Sequence, residues 1–282
     1  VALLTIAPPA LEPVTTAQLI SYGHIDANED ASLLAMLISA AREWAEAFCE
    51  RAFVFQTKRL LMDFFPGYVD FKMAGQRVSS PFVSGSNAVL VGIRYAVALP
   101  WPIARSVVNF QYQDENGNIQ VMAAGTDFIV DLDSQPARLM PLFGQMWPVA
   151  RVVANAVQVD YVTGYSGPIM VSVTAGSAVL TSSAGFLQRD VGAPISIPKA
   201  ADGVAPFVTS ILSVDANGVA TLAAMAPHSA SLVTTTFGTI PMSVQLAILA
   251  LAATWYEKRV PDNNDVPFGV KALLYPYRDL RL

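Results

Sequence analysis

Charge is what this sequence has least of. Only 14% of its 282 residues are Asp, Glu, Lys or Arg, against roughly 25% in ordinary soluble domains, while 53% are hydrophobic. So much apolar surface suggests that part of it is covered by other subunits. Cysteine is nearly absent, and a lone Cys49 excludes a disulfide framework. With His24 and His228 the only histidines, zinc sites are all but excluded, and a serine nucleophile has little choice of base. Lys and Arg number 17 against 22 Asp and Glu, a net charge of −5. That balance argues against a protein that grips nucleic-acid phosphates through a basic patch. No Gly-rich phosphate loop occurs. The strictly apolar run in SVQLAILALAATWYEKR, Leu246 to Ala253, is far short of the roughly 20 residues a membrane span needs. The opening VALLTIAPPALEP has no basic start and is broken by Pro8, Pro9 and Pro13, so it reads as an extended arm rather than a signal peptide.

Two long helical segments are present, with a short one before the first. Thr15 and Thr16 can cap a short helix in TTAQLISYGHI, and Asp26 with Glu29 resembles a capping box for a longer one. From Asn28 to Glu50 the stripe Leu33, Leu37, Ala40, Ala41, Trp44 and Phe48 recurs at helical spacing, widened by Leu34, Ile38 and Ala45. Arg42, Glu43, Glu46 and Glu50 are expected on the solvated face, Arg42 with Glu46 as an ordinary surface pair. The second long helix spans residues 241–259, opened by Pro241, a favoured first helical residue. Ala247, Ala250, Ala252 and Ala253 interleave with Leu246, Ile248, Leu249 and Leu251, so nearly every side is apolar and burial all round is expected.

Between the helices the pattern is β. FVFQTKRLLMDFF, SVVNFQYQ, IQVM, TDFIVDLD, ARLMP and NAVQVDYVTGY read as a compact antiparallel sheet. DENGN is a hairpin loop in which Asn116 and Gly117 are expected to supply positive φ. Composition then shifts: from Ile169 to Ile240 the only charged residues are Arg189, Asp190, Lys199, Asp202 and Asp215. Short strands punctuated by Gly, Pro and Asn-Gly suggest an inserted all-β module. The fold class is therefore α+β: two main helices (28–50 and 241–259) with an antiparallel sheet or hairpin, plus the module. The domains expected are a core of residues 1–167 and 241–265, the module 168–240, and a C-terminal tail 266–282.

Chemistry-bearing motifs are weak. GYSG, Gly164 to Gly167, lacks the spacing of a nucleophile elbow and reads as a strand-ending turn. Asp131 and Asp133 stand two apart on a strand and face the same way, as an acid pair or a cation site would require; support of the following SQP turn is the simpler reading. DENGN lacks the glycine position and closing Glu of a calcium loop. Cys49, beside Phe48, reads as a small packed side chain. No catalytic residue, metal or cofactor is assigned. The tail VPFGVKALLYPYRDLRL carries more apolar and aromatic groups than a free end, and Pro267, Gly269 and Pro276 are expected to limit its regular structure. Packing on its own domain and anchoring in a partner stand level for it.

Jointly, PPALEPVTTAQL, DANEDASLLAMLISAAREWAEAFCERAFVFQTKRLLMDFFPG, LPWPIARSVVNFQYQDENGN, TDFIVDLDSQPARLMP, VQVDYVTGY, SVQLAILALAATWYEKR and VPFGVKALLYPYR resemble the head-tail connector (adaptor, or head-completion) proteins of long-tailed bacteriophages. The agreement covers residues 1–165 and 241–282 in order and spacing; residues 168–240 have no counterpart in the typical relative, and Tyr68 to Leu99 is longer. The resemblance implies a non-enzymatic structural protein of the virion neck, assembled in the host cytoplasm as a homo-oligomeric ring, commonly a dodecamer. Such a ring sits between the portal protein and the next neck protein, a stopper or tail terminator, and extends the channel through which genomic DNA passes without specific binding. It also implies portal docking by the tail, through Phe268, Leu273, Leu274, Tyr275, Tyr277 and Arg278. Helix packing between subunits would involve Trp44, Phe48, Leu246, Leu249, Trp255 and Tyr256. The module 168–240 would project outward, toward a capsid, whisker or fibre protein. Two other readings are a carbohydrate- or fibre-binding virion protein acting through the module, and a carboxylate hydrolase using Asp131 with Asp133 or another carboxylate.

Overall fold

The computed structural model describes residues 1–26, 30–66, 95–215, 217–258 and 266–279. The fold is α+β, with helices beside several antiparallel sheets. The chain divides into two compact units. One comprises Val1–Ile6, Lys58–Pro100 and Val107–Tyr161; the other comprises Ala7–Thr57, Trp101–Ser106 and Val162–Leu282.

The first unit is β-rich. Its larger sheet has five strands in the order β1-β2-β8-β4-β5: β1 (Ala2–Ala7), β2 (Gln56–Met62), β8 (Val157–Thr163), β4 (Ala104–Gln113) and β5 (Ile119–Val121). Short ends of β2, β4 and β8 count with the second unit. The expected arm is thus a strand at the sheet edge. A smaller sheet, β3 (Val97–Leu99), β7 (Ala137–Pro141) and β6 (Phe128–Asp131), runs in the order β3-β7-β6. One continuous sheet was expected; two form, and aromatic side chains join them. Phe110 of β4 packs edge-on against Phe128 of β6 at 5.0 Å, and Phe65 stacks on Trp147 at 5.1 Å.

The β4–β5 hairpin forms, but its loop has five residues, Asp114 to Asn118, since Gln113 faces Ile119. Only Gly117 has positive φ, +91°. Asp114 closes the loop with its carboxylate, accepting from the N–H of Asn116 (3.0 Å) and of Asn118 (2.8 Å). A carboxylate that bonds its own backbone makes a turn without a left-handed Asn. The same device recurs at Asp215, which accepts from Asn217 and Val219 ahead of a left-handed Gly218.

The second unit holds the helices and a six-stranded sheet. Helix α1 (Thr16–Gly23) opens with the Thr15–Gln18 capping box. Helix α2 (Ala31–Cys49) is capped by Asp30, whose side chain accepts from the N–H of Ser32; the Asp26–Glu29 box involves residues outside the described ones. Helix α3 is Met242–Lys258 and α4 is Phe268–Leu274, followed by a 3₁₀ turn, Tyr275–Tyr277. The tail is therefore more regular than its prolines and glycine implied. Pro267 stands at the N-cap of α4 and Pro276 in the first turn of the 3₁₀ segment, places where a missing N–H costs no helical bond. Leu34, Ile38, Ala41, Ala45 and Cys49 of α2 share one core with Val244, Ala247, Ile248 and Leu251 of α3 and with Val270 and Leu274 of α4.

The β segments expected in residues 169–240 form β9 (Gly167–Val173), β10 (Val179–Ser182), β11 (Pro194–Ile197), β12 (Phe207–Val214), β13 (Ala220–Leu222) and β14 (Ala230–Phe237). Their order is β11-β12-β13-β10-β9-β14. The two outer strands approach each other, and Thr235 donates its hydroxyl to the Ser196 carbonyl. The sheet is nearly a closed barrel around Ile169, Val171, Leu180, Phe186, Ile211 and Phe237. Where β14 leads toward α3, Gly238 has φ +86°, and a Cβ there would stand 2.0 Å from the Tyr165 carbonyl oxygen. Gly167 is confined likewise, with a Cβ meeting the Phe55 ring at 2.5 Å.

Candidate functional site

The structure spreads the tail residues over two sides of α4. Leu274 is fully buried, and Leu273 and Tyr277 pack partly against the helical core. Tyr277 shares a 2.9 Å hydrogen bond with Ser243 of α3, and the Asp279 N–H donates to the Cys49 carbonyl at 2.8 Å. Arg278 lies 5.4 Å over the ring of Phe48, which stacks on Trp44 at 5.2 Å. Phe268 and Tyr275, seven residues apart and so on one face, are instead 85% and 57% exposed. The tail packs on its own domain through one face and leaves two aromatics in solvent on the other.

The helix positions divide in the same way. Trp255 of α3 is buried in the core of its own chain, and Leu249 and Tyr256 are partly buried. Leu246 is 42% and Met242 77% exposed. Burial all round was expected for α3; within one chain it is buried on the side of Val244, Ile248, Leu251 and Trp255 and open along Met242 and Leu246. Ala247, Ala252 and Ala253 lie on the buried side, and the only charges of the helix, Glu257 and Lys258, are exposed at its C-terminal end.

A buried polar cluster lies behind α2, where a solvated face was expected. Arg42 and Glu46 are 5% and 3% exposed. Arg42 donates to Glu46 at 2.9 Å and to Glu12 at 2.8 Å, while Glu46 also accepts from the Phe53 N–H (2.7 Å) and from Gln56. Glu43 and Glu50 are exposed, and so is Ala40 of the expected apolar stripe. The core side of α2 is rotated toward Leu34, Ile38, Ala41, Ala45 and Cys49, which brings the i+4 series 38, 42 and 46 inside. The series is visible in the sequence, but charge at two of its positions is the usual mark of an exposed face. Cys49 is fully buried, and burial pushes its thiol up to about 12.

A second buried ion pair has no sequence signature at all. Arg105 binds Asp190 through two parallel bonds of 3.0 and 2.8 Å, sandwiched between the rings of Phe55 and Phe237, each 5.2 Å from its guanidinium. It ties the first residues of β4, which count with the second unit, to the barrel with a fork geometry that only arginine supplies.

Asp131 is engaged in the turn that follows it. Asp131 accepts from the Ser134 N–H and hydroxyl and from Arg138 at 2.8 Å. Burial alone would raise its carboxyl, but the bonds from Ser134 and Arg138 outweigh that and hold it below the ordinary carboxylate range. Asp133 is exposed. His24 ends α1 in the left-handed conformation, and His228 is exposed. Among the described residues, no group of three His, Cys, Asp or Glu is placed to hold a metal ion. In the barrel Phe186 and Phe237 are buried and Phe207 is half-buried.

No family model and no curated protein matches the sequence. Solved structures do. A chain of the virion of a native gene transfer agent particle is similar at a TM-score of 0.55 and 16% identity, over 100% of this chain and 97% of that one. Chains from the neck of the empty gene transfer agent particle, computed with C6 symmetry, and of the native one, computed with C12 symmetry, are similar at TM-scores of 0.54 and 0.51, with 15% and 16% identity over the same extents. At such identities the likeness is one of fold.

Proposed function

We propose that this chain is a structural, non-enzymatic subunit of the neck of a phage-like particle, forming an adaptor ring under the portal protein. One observation carries the reading: the fold agrees from end to end, the β barrel included, with chains of gene transfer agent particles and their necks. The C6 and C12 symmetry of those necks supports a ring, here a dodecamer, whose subunits meet along the open sides of α2 and α3. Trp44, Phe48, Leu246, Leu249 and Tyr256 serve that contact, whereas Trp255 stabilises the subunit from within. The acidic balance, −5, suits a conduit that DNA traverses without being held.

In this reading the tail meets the portal through Phe268 and Tyr275, and Leu273, Leu274, Tyr277 and Arg278 hold the tail in place. The neck protein beyond the ring, a stopper or tail terminator, binds its other end. Residues 168–240 are an insertion in a core of residues 1–167 and 241–265, and they face a capsid, whisker or fibre protein. Deleting the tail is a poor test, because it removes Val266, Val270 and Leu274 from the core at roughly 1.5–3 kcal/mol for each large side chain. Substituting Phe268 and Tyr275 by Ala removes only exposed atoms. Electron microscopy of the purified protein should show closed rings, and the double variant should form the same rings but no longer attach to portals. A protein that stays monomeric at all concentrations overturns the proposal.

A further inference from the structure

The five-stranded sheet ends in two open edges. In the order β1-β2-β8-β4-β5 no described strand lies outside β1 or β5. Pairing along β4–β5 shows which way the β5 backbone points. The Met122 N–H donates to Phe110 and the Asp114 N–H to Asn118, and the register sets Tyr112 opposite Gln120. In an antiparallel ladder hydrogen-bonded and non-hydrogen-bonded pairs alternate, so Gln120 turns its amide and carbonyl toward β4. Ile119 and Val121 turn theirs outward. Their side chains are also exposed, 66% and 69%. Beside this edge runs a groove of about 440 Å³ in which Val121, Met122 and Met146 face polar groups of Gln120, Asp127 and Gln145.

At the opposite edge β1, Ala-Leu-Leu-Thr-Ile-Ala, carries no charge, and Leu4 and Ile6, on one face, are 50% and 43% exposed. Natural proteins normally blunt a free edge with charge, proline or a covering element. Here, among the described residues, neither edge strand contains a charge or a proline, and β5 is limited only by its length of three residues. The two edges are complementary in backbone terms: β5 turns the amides and carbonyls of Ile119 and Val121 outward, and β1 has no described strand on its outer side. Because the two edges lie at opposite ends of one sheet, their pairing is head to tail, the kind of contact that closes into a ring or runs on as a fibre.

We propose that the outer edge of β1 in one copy adds to β5 of the next, so that the sheets join into one continuous band around the assembly. This rests on the ring reading and names the strand contact that would hold it. The mode is β-augmentation, in which backbone bonds give affinity and side-chain pockets give register. It predicts that proline distinguishes the two kinds of β5 position, since proline removes the N–H. Val121→Pro deletes an outward amide and leaves the β4 ladder intact, while Val121→Thr keeps the amide as a control.

The experiment uses the full chain. Leu4→Cys combined with Val121→Cys, oxidised under mild conditions, should give a ladder of covalent multimers that neither single variant gives; the buried Cys49 stays silent in all three. Val121→Pro should weaken assembly about tenfold or more, the equivalent of one or two lost backbone bonds, with an unchanged melting temperature, whereas Val121→Thr should assemble normally. Rings without a ladder, or a bond formed within one chain, refute the strand contact and leave the ring reading standing. A ladder of open fibres supports the contact and refutes the ring. Absence of both ladder and assembly refutes the two together.

Discussion

Glu46 offers the most direct measure of how far buried polar groups hold the helical unit together. Its carboxylate is 4% exposed and accepts from Arg42, from the Phe53 backbone and from Gln56. Replacing it with Leu strands the Phe53 N–H, at roughly 1–3 kcal/mol. Arg42 also loses its buried partner, though Glu12, 30% exposed, still holds it. Removing one member of a buried pair costs about 3–5 kcal/mol when nothing else compensates; with Glu12 in place we expect about 3 kcal/mol. Glu46→Gln keeps an acceptor for Phe53 and should cost only about 1–2 kcal/mol. The double variant Arg42→Leu with Glu46→Leu should be less damaging than the sum of its parts, because no charge is left unpaired. Urea unfolding, read at constant m, gives each value, and hydrogen exchange at the Phe53 amide should speed up selectively in Glu46→Leu. If Glu46→Leu cost less than about 0.5 kcal/mol, as an exposed i,i+4 pair would, the cluster would not be buried in solution and the reasoning would be wrong.

Three further outcomes are expected. The Cys49 thiol, buried and pushed up to about 12, should resist alkylation at pH 8 in the native protein and react promptly in denaturant; rapid native labelling would contradict its packing. Gly238→Ala should destabilise by more than about 2 kcal/mol, since the new Cβ would collide with a carbonyl and φ is +86°; an unchanged melting temperature would show that the link from β14 to α3 is looser. Asp131, with its pKa lowered, contributes stability above the ordinary carboxyl value of about 3.9 and loses it as pH falls through the lowered value. Asp131→Asn should therefore flatten the acid limb of the stability curve, and identical limbs would exclude the Ser134 and Arg138 bonds.

Periodicity and turn chemistry sufficed for the elements whose signals are local. The stripe from Leu33 to Phe48, widened by Leu34, Ile38 and Ala45, announces α2, the Thr15 and Thr16 caps announce α1, and Gly- and Asn-punctuated runs announce the strands that follow residue 167. These patterns arise within one or two turns of chain, so neighbouring residues carry them in full. The absence of charge likewise announced unusual apolar surface, seen at Met242, Leu246, Phe268 and Tyr275.

Tertiary structure alone decided which faces the environment takes. Arg42 and Glu46 look solvated because charge is costly to bury, yet Glu12, Phe53 and Gln56 arrive from elsewhere in the chain and meet that cost. Arg105 and Asp190 become partners only because the barrel brings residues 85 apart in sequence to within 3.0 Å. The tail was ambiguous for the same reason: its Leu, Tyr and Phe residues carry one hydrophobicity in sequence, and only the fold of α4 against α2 and α3 sends Leu274 inward and Phe268 into solvent. Local pattern determines which elements form; long-range contact determines which charges are paired and which apolar groups remain for a partner.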